Sequence, residues 1–200
     1  SKDYLLYLPK GYGVPGEKWP LLLFLHGMGE RGPGINKVSK HGPPKIVKKK
    51  DLPFVVVSPQ CQAESFWGGP EIVEFVEHIE STYEIDRKRL YITGLSMGGF
   101  GTWNAIANNP DKFAAAIPIC GGATSEKRKA EGLKKMPIWS FHGEADTVVA
   151  MEKQMEMVNN LKELKNKNFK FTVYKGCKHD SWTRTYNNDE IYEWLLKFSK

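Results

Sequence analysis

Gly94-Leu95-Ser96-Met97-Gly98 is the stretch that decides the fold, and it matches the pattern G-x-S-x-G. An apolar, β-rich segment (89–93) precedes it, and segment 100–107 has the composition of a helix. Between a strand and a helix, this pattern is typical of a nucleophile elbow, a strained turn that raises a serine hydroxyl above the sheet. The pattern alone is weak because glycine and serine are common. It is the flanking segments that favour Ser96 as a nucleophile.

Seven apolar, β-rich runs predict the strands of one sheet. From residue 21 onward the runs are continuously hydrophobic, which is typical of parallel strands covered on both faces. Gly11, Gly13, Pro15 and Gly16 separate the first run from the second, so we expect the first to be an antiparallel hairpin strand at the sheet edge. The predicted strands are 4–8, 21–25, 54–58, 90–93, 114–119, 138–141 and 169–174.

Helical periodicity occurs between these runs. Pro70 opens one predicted helix, and apolar residues follow it at helical spacing. The second helix has an apolar face that is most simply explained by packing in the core, and it consists of Met151, Met155, Val158 and Leu161. A third helix, 191–198, ends the sequence. Strands that alternate with helices predict an α/β fold with a mostly parallel sheet and helices on both faces.

The composition fits one domain (1–200), with 40% hydrophobic and 26% charged residues. The net charge is +6, and lysine runs at 48–50 and 134–135 indicate a solvated surface. No nucleic-acid partner is expected, since such an interface would interleave arginines and aromatics on one element. A mild attraction to polyanionic polymers stays open. No membrane partner is expected either, because no apolar run approaches the ~20 residues of a membrane helix.

The three cysteines, Cys61, Cys120 and Cys177, form no C-x-x-C pair, which argues against a zinc or redox motif. Cys120 lies in an apolar run and is expected in the core. One disulfide with unspecified partners stays open. No signal peptide is visible, since Ser1 and Lys2 lead directly into a strand-like segment. Such a start fits either a mature form or an excised domain.

A serine nucleophile needs a general base, and two of the five histidines, His142 and His179, follow Ser96. The order serine, acid, histidine is the one that this elbow implies. His142 ends a predicted strand, and we expect it to shape the next loop. His179 follows strand 169–174, at the edge where ligands meet a parallel sheet. It is therefore the predicted base, with an ordinary loop histidine as the alternative.

Asp146 is the predicted acid, because it lies on the loop after strand 138–141. It could instead cap the helix that follows. Glu144, on the same loop, is a rival. Asp180 adjoins His179, but a neighbouring residue on an extended loop points elsewhere.

The two expected oxyanion-hole donors are backbone N–H groups. One belongs to Met97, directly after the nucleophile. The other belongs to the turn after strand 21–25, where we favour Met28 over its rival Gly27. Glu30 and Arg31 are expected to pair with each other and hold this turn.

Five segments, in order along the chain, carry a resemblance to a known family: LHGMGERG (25–32), SPQC (58–61), GLSMGG (94–99), HGEAD (142–146) and HDSW (179–182). They resemble the α/β-hydrolase superfamily, in its carboxylesterase and feruloyl-esterase-like branch, which includes predicted peptidases and phospholipase/carboxylesterase-like proteins. The resemblance implies a triad of Ser96, Asp146 and His179, with donors at Met28 and Met97. It also implies that many relatives are secreted, often as one domain of a larger protein.

The expected activity is that of a serine carboxylesterase, which cleaves small or polymer-linked esters through an acyl-enzyme on Ser96 without a metal or other cofactor. Short acyl groups and plant-polymer feruloyl or acetyl groups are the expected substrates. A serine peptidase of the same fold and a non-catalytic binding domain are the alternatives. Little chain is left for a lid, which favours an open cleft. Trp182 and Trp67 are its candidate walls, with ordinary packing as the alternative.

Overall fold

The computed structural model describes residues 3–123 and 126–200, so Ser1 and Lys2 lie outside the described residues. Its strands are β1 (Tyr4–Tyr7), β2 (Trp19–Leu25), β3 (Val55–Pro59), β4 (Ile85–Leu95), β5 (Ala115–Ile119), β6 (Ile138–Gly143) and β7 (Phe169–Tyr174). They form one sheet in the order β1-β3-β2-β4-β5-β6-β7. Every pairing among β2 to β7 is parallel. The predicted strands and the mostly parallel sheet are therefore confirmed.

The first strand lies at the edge of the sheet and runs antiparallel, as expected, but it is not part of a hairpin. It pairs with β3, with Leu5 opposite Ser58, and not with β2, the next strand in sequence. The reason is that β3 and β4 occupy both edges of β2. β1 therefore pairs along the outer edge of β3, at one end of the sheet.

The helices are α1 (Gly42–Ile46), α2 (Gly69–Thr82), α3 (Met97–Asn108), α4 (Lys127–Gly132), α5 (Glu152–Glu163), α6 (Trp182–Tyr186) and α7 (Glu190–Leu195). The predicted helices correspond to α2, α3, α5 and α7, and the last ends at Leu195 rather than at 198. In α5 the buried residues are Gln154, Met157, Val158 and Leu161, whereas Met151 and Met155 are half-buried. The apolar face predicted there is thus only partly correct.

Two cores form because successive residues of a strand point to opposite faces. Leu21, Leu23 and Leu25 of β2 pack in the core beneath α2, α3 and α5. Leu22 and Phe24 pack in the core beneath α1, α6 and α7. The result is a sheet between two helical layers, with the carboxyl ends of β2, β4, β6 and β7 at one rim. In the described part of the chain, no helix is long and apolar enough to cross a membrane.

Candidate active site

Ser96 stands on a strained turn between β4 and α3. Its backbone has φ 52° and ψ −115°, a conformation that residues other than glycine rarely adopt. Its N–H donates to the carbonyl oxygen of Ile119 at 2.9 Å. A Cβ on Gly98 would lie 1.9 Å from the carbonyl oxygen of Leu25, so only glycine lets α3 approach β2 this closely. These contacts fix the position of the half-buried Ser96 hydroxyl.

Ser96, His179 and Asp146 lie in one hydrogen-bonded line. The distance from His179 Nε2 to Ser96 Oγ is 2.9 Å, and from His179 Nδ1 to Asp146 Oδ2 it is 2.7 Å. The three side chains come from the loops after β4, β7 and β6, which end at the same rim of the sheet. The geometry is that of a nucleophile, a base and an orienting acid.

The environment of Asp146 keeps its carboxylate charged. Burial on its own raises the pKa of this carboxyl, but hydrogen bonds from His179 and from the N–H groups of Val149 and Val148 lower it. The net result is a pKa of Asp146 below the ordinary value. Oδ1 accepts both backbone hydrogen bonds, at 2.9 Å and 3.0 Å. A charged Asp146 favours the proton on Nδ1 of His179, which leaves Nε2 to accept the hydroxyl proton of Ser96.

The two rival acids are engaged elsewhere. Glu144 Oε2 accepts the N–H of Gly176. Asp180 accepts both the N–H and the hydroxyl of Thr183 and so caps α6. Neither carboxylate is the partner of His179 Nδ1.

A buried glutamine that the sequence analysis did not single out lies behind the acid. Gln154 Oε1 accepts hydrogen bonds from Trp103 Nε1 at 3.2 Å and from Ser140 Oγ at 2.7 Å. Its amide nitrogen therefore faces Nδ1 of His142 as a donor. An apolar stripe was the only signal in α5, so the inward-facing Gln154 could not be recognised from spacing.

This amide fixes the tautomer of His142, which is completely buried. Because Nδ1 accepts from Gln154, the proton lies on Nε2, which donates to the carbonyl oxygen of Val149 at 2.8 Å. The same nitrogen is 3.4 Å from Asp146 Oδ2. His142 thus ties the acid loop to the core, in agreement with the loop-shaping role expected for it.

Two backbone N–H groups beside Ser96 are not used by their own helices. Met97 is the first residue of α3, so its N–H has no partner within the helix. The 3-10 turn Met28–Glu30 begins with the bond from Glu30 N–H to Gly27 O, which leaves the N–H of Met28 outside it. Gly27, the rival donor, gives its N–H to the Glu30 carboxylate. The geometry therefore favours Met28 over Gly27.

The expected pairing of Glu30 with Arg31 is wrong. Glu30 is buried, its carboxylate accepts the N–H of Gly27, and it faces His41 at 4.0 Å. Arg31 donates instead to the carbonyl oxygens of Met28 and Ser65. The turn is compact, so the side chain of Glu30 folds back onto its own backbone instead of reaching its neighbour.

His26, which the sequence analysis did not assign a role, holds the start of this turn. Its Nδ1 donates to the carbonyl oxygen of Gly27 at 2.7 Å, and its Nε2 accepts the N–H of Cys61 at 3.0 Å. Burial lowers the pKa of His26 to about 4, with a further contribution from the charge of Arg31. His26 is therefore neutral near pH 7.

A cavity of about 610 Å³ adjoins Ser96. It is lined by Met28, Phe66, Trp67, Ser96, Met97, Phe100, Gly101, Asn104, Gly122, Ala123, Val148 and Val149. Phe66 and Val148 are 63% and 71% exposed, so the cavity opens to solvent. Most of this lining was not recognised from sequence, although the spacing of 97, 100, 101 and 104 marks one face of α3.

The two tryptophans proposed as cleft walls lie in different places. Trp67 lines the cavity at Ser96, although it is only 5% exposed and its Nε1 donates to the carbonyl oxygen of His26. Trp182 lines a separate cleft of about 240 Å³ beside α1. It packs edge-on against His179, with ring centroids 5.2 Å apart, and its Nε1 donates to His41. Trp182 therefore packs against His179 outside the large cavity.

Within residues 3–123 and 126–200, no group of three or more His, Cys, Asp or Glu side chains could hold a metal ion. Cys120 is buried next to Ser96, and burial raises the pKa of its thiol to about 12. A thiol with such a pKa stays protonated near pH 7 and is a poor nucleophile.

Comparisons with known proteins identify the family and the fold. The model of the dienelactone hydrolase family matches residues 68–192. A bifunctional acetylxylan esterase/xylanase of Neocallimastix patriciarum is 28% identical over 174 residues, which are 82% of this chain and 24% of that protein. The chain spans about a quarter of the length of that curated relative.

Two solved structures are similar over nearly the whole chain. A thermostable esterase is 37% identical with a TM-score of 0.84, covering 98% of this chain and 59% of the other. A feruloyl esterase module from Clostridium thermocellum, complexed with sinapinate, is 23% identical with a TM-score of 0.70, covering 98% and 83%. The α/β-hydrolase fold expected from the sequence is confirmed.

Proposed function

The chain belongs to the dienelactone hydrolase family, and on that basis we propose that it is a serine carboxylesterase that works through an acyl-enzyme on Ser96. The observation that carries the proposal is the hydrogen-bonded line from Ser96 Oγ through His179 to Asp146, at the mouth of an apolar cavity. The similarity to esterases supports the same class of reaction.

The proposed first step is attack of Ser96 Oγ on the ester carbonyl while His179 Nε2 takes the hydroxyl proton. Asp146, held charged by its hydrogen bonds, stabilises the imidazolium that forms. The carbonyl oxygen becomes an oxyanion, and the N–H groups of Met28 and Met97 donate to it. Each such donor contributes about 3 kcal/mol to the transition state.

In the second half of the cycle, His179 returns its proton to the leaving alcohol and then activates a water molecule. The hydroxide attacks the acyl-enzyme, and the proton on His179 goes back to Ser96 as the acid leaves. No cofactor takes part in these steps. Because the donors at Met28 and Met97 are backbone groups, replacing either side chain with alanine should matter far less than replacing Ser96.

The acyl group is proposed to occupy the cavity. The volume of the cavity, about 610 Å³, is within the range of about 300–1,000 Å³ typical of small-molecule sites. An acetyl group would leave most of this space empty, so we propose that larger acyl groups, such as the feruloyl group of a plant polymer, are better substrates. Secretion is part of the same proposal, since polymer esters are extracellular.

Hydrolysis of p-nitrophenyl butyrate by the wild type and by Ser96→Ala tests the reaction. The variant should lose at least about 10³-fold in kcat. Ser81→Ala, which removes an exposed serine hydroxyl on α2, is the matched control and should keep wild-type activity. Absence of wild-type turnover on any ester would contradict the proposal and favour a binding domain. A peptide anilide cut faster than methyl ferulate, acetylated xylan and p-nitrophenyl butyrate would instead favour a peptidase.

A further inference from the structure

One face of α3 forms the floor of the cavity, and it runs directly away from the proposed nucleophile. Met97, Phe100, Gly101 and Asn104 all line the cavity. They follow the spacing i, i+3, i+4 and i+7, which places them in one row along a helix. With a rise of 1.5 Å per residue, Asn104 lies about 12 Å from Ser96 along the helix axis. The floor is therefore a straight slot about two helical turns long.

The slot is apolar along its length and polar at its far end. Gly101 keeps it narrow, because a Cβ there would lie 2.5 Å from the Cβ of Trp67. Val148 and Phe66 also line it. Apart from Ser96 at one end, Asn104 is the only lining residue of the described chain with an amide or hydroxyl side chain.

The orientation of the Asn104 amide is set by its neighbour one turn on. Asn108 Nδ2 lies 2.8 Å from the backbone oxygen of Asn104 and 2.6 Å from its Oδ1. A backbone oxygen can only accept, so the nitrogen of Asn108 must face it, and Asn104 must turn its own oxygen toward Asn108. The NH₂ group of Asn104 is left as a donor, with no acceptor among the described residues. Gly69 lies beside it without a side chain to cover it.

The cavity fits the acyl part of an ester better than the alcohol part. The leaving oxygen must lie within hydrogen-bond reach of His179 Nε2, which protonates it. His179 does not line the cavity; its ring packs against Trp182, on the side of the second cleft. The acid half of the ester is then the half that extends along α3.

We infer that Asn104 is a specificity-determining residue that donates a hydrogen bond to an oxygen at the far end of the acyl group. The inference rests on the proposed esterase function. The substrate class is an ester of an acid whose acyl group is apolar and extended for about two helical turns and ends in a hydroxyl, ether or carbonyl oxygen. A terminal methyl group in its place could not accept this hydrogen bond, and the exposed Asn104 donor would bind water instead. Since a net hydrogen bond is modest in water, a preference of about 2- to 10-fold in kcat/KM is expected.

The test compares methyl 3-(4-hydroxyphenyl)propanoate with methyl 3-(4-methylphenyl)propanoate, which differ only in the terminal group. The wild type should prefer the hydroxyl ester, and Asn104→Leu, which keeps the side-chain size but removes the donor, should lose that preference. Asn159→Leu, which makes the same change on the exposed face of α5, should retain it. Thermal melting of both variants establishes that they are folded.

Equal preference in the wild type and in Asn104→Leu would overturn the inference. A preference that follows the alcohol half, seen with 4-hydroxyphenethyl acetate against 4-methylphenethyl acetate, would overturn it as well. Failure of the proposed function is a different result, since p-nitrophenyl butyrate would then not be hydrolysed by the wild type at all. Ester hydrolysis that needs Ser96 but shows no dependence on Asn104 would refute this inference alone.

Discussion

Replacing His26 with glutamine is expected to make folding less sensitive to acid. His26 is 1% exposed, and its pKa of about 4 compares with 6.5 for an ordinary histidine. The unfolded chain therefore takes up a proton at His26 at a higher pH than the folded chain does. The free energy of unfolding consequently rises with pH between 4 and 6.5, and this contribution is lost as the pH falls through that window.

The size of the effect follows from the same two values. Lowering the pKa of His26 from 6.5 to about 4 corresponds to about 3 kcal/mol of unfolding free energy. The physical source is burial of the ring, which disfavours its charged form, with a smaller contribution from the charge of Arg31. The neutral ring makes two hydrogen bonds, one as donor to Gly27 O and one as acceptor from Cys61 N–H. A protonated ring could not accept the second. Acid should thus loosen the turn that carries Met28.

Urea unfolding at pH 7 and at pH 4 measures this contribution. His26→Gln should be less stable than the wild type at pH 7, because glutamine fills the site less well. The difference in unfolding free energy between the two proteins should be about 3 kcal/mol smaller at pH 4 than at pH 7. His78→Gln, at an exposed position on α2, is the control and should follow the wild type. A gap between wild type and His26→Gln that stays constant to within about 1 kcal/mol would refute the reasoning.

Three further substitutions test other parts of the account. Gln154→Leu leaves three buried polar groups without their partner, His142 Nδ1 among them, and should lower the free energy of unfolding by about 3 kcal/mol; a loss below about 1 kcal/mol in urea titrations would contradict this. Gly98→Ala places a Cβ against the carbonyl oxygen of Leu25 and should reduce stability by more than about 2 kcal/mol, with an unchanged melting temperature as the opposing result. Ser96→Gly should be about 1 kcal/mol more stable than Ser96→Ala, because glycine tolerates φ 52°; equal stabilities in parallel thermal melts would show that the turn is not strained.

The sheet could be predicted from sequence because buried parallel strands leave continuous hydrophobic runs. The predicted run 169–174 has the same bounds as β7, and most of the other runs end within one or two residues of the observed strands. The run at 90–93 is the exception, because β4 begins five residues earlier, at Ile85. The partner of β1 could not be predicted in this way. Both β2 and β3 are mostly apolar in sequence, and which of them keeps a free edge depends on the order of the whole sheet.

The proposed triad could be predicted because chain order and sheet topology together restrict the choice. Ser96, Asp146 and His179 each follow a strand of the parallel sheet, so the rim had to bring them near each other. Residues whose role depends on side-chain direction were not recognised. Gln154 and Asn104 are polar residues on helices, and only packing shows that one faces the core and the other a cavity. Trp182 was expected as a cleft wall because it lies three residues after His179 in sequence. The side of the His179 ring on which it packs depends on its contact with His41.

The central claim, that Ser96 is the nucleophile, is tested most directly by covalent trapping. Incubation with paraoxon, followed by mass spectrometry of peptides, should show one phosphoryl adduct per chain on the peptide that contains Ser96. The loss of p-nitrophenyl butyrate hydrolysis should follow the extent of labelling, and Ser96→Ala should remain unlabelled. An adduct on another residue, or full hydrolysis by a chain labelled at Ser96, would contradict the claim.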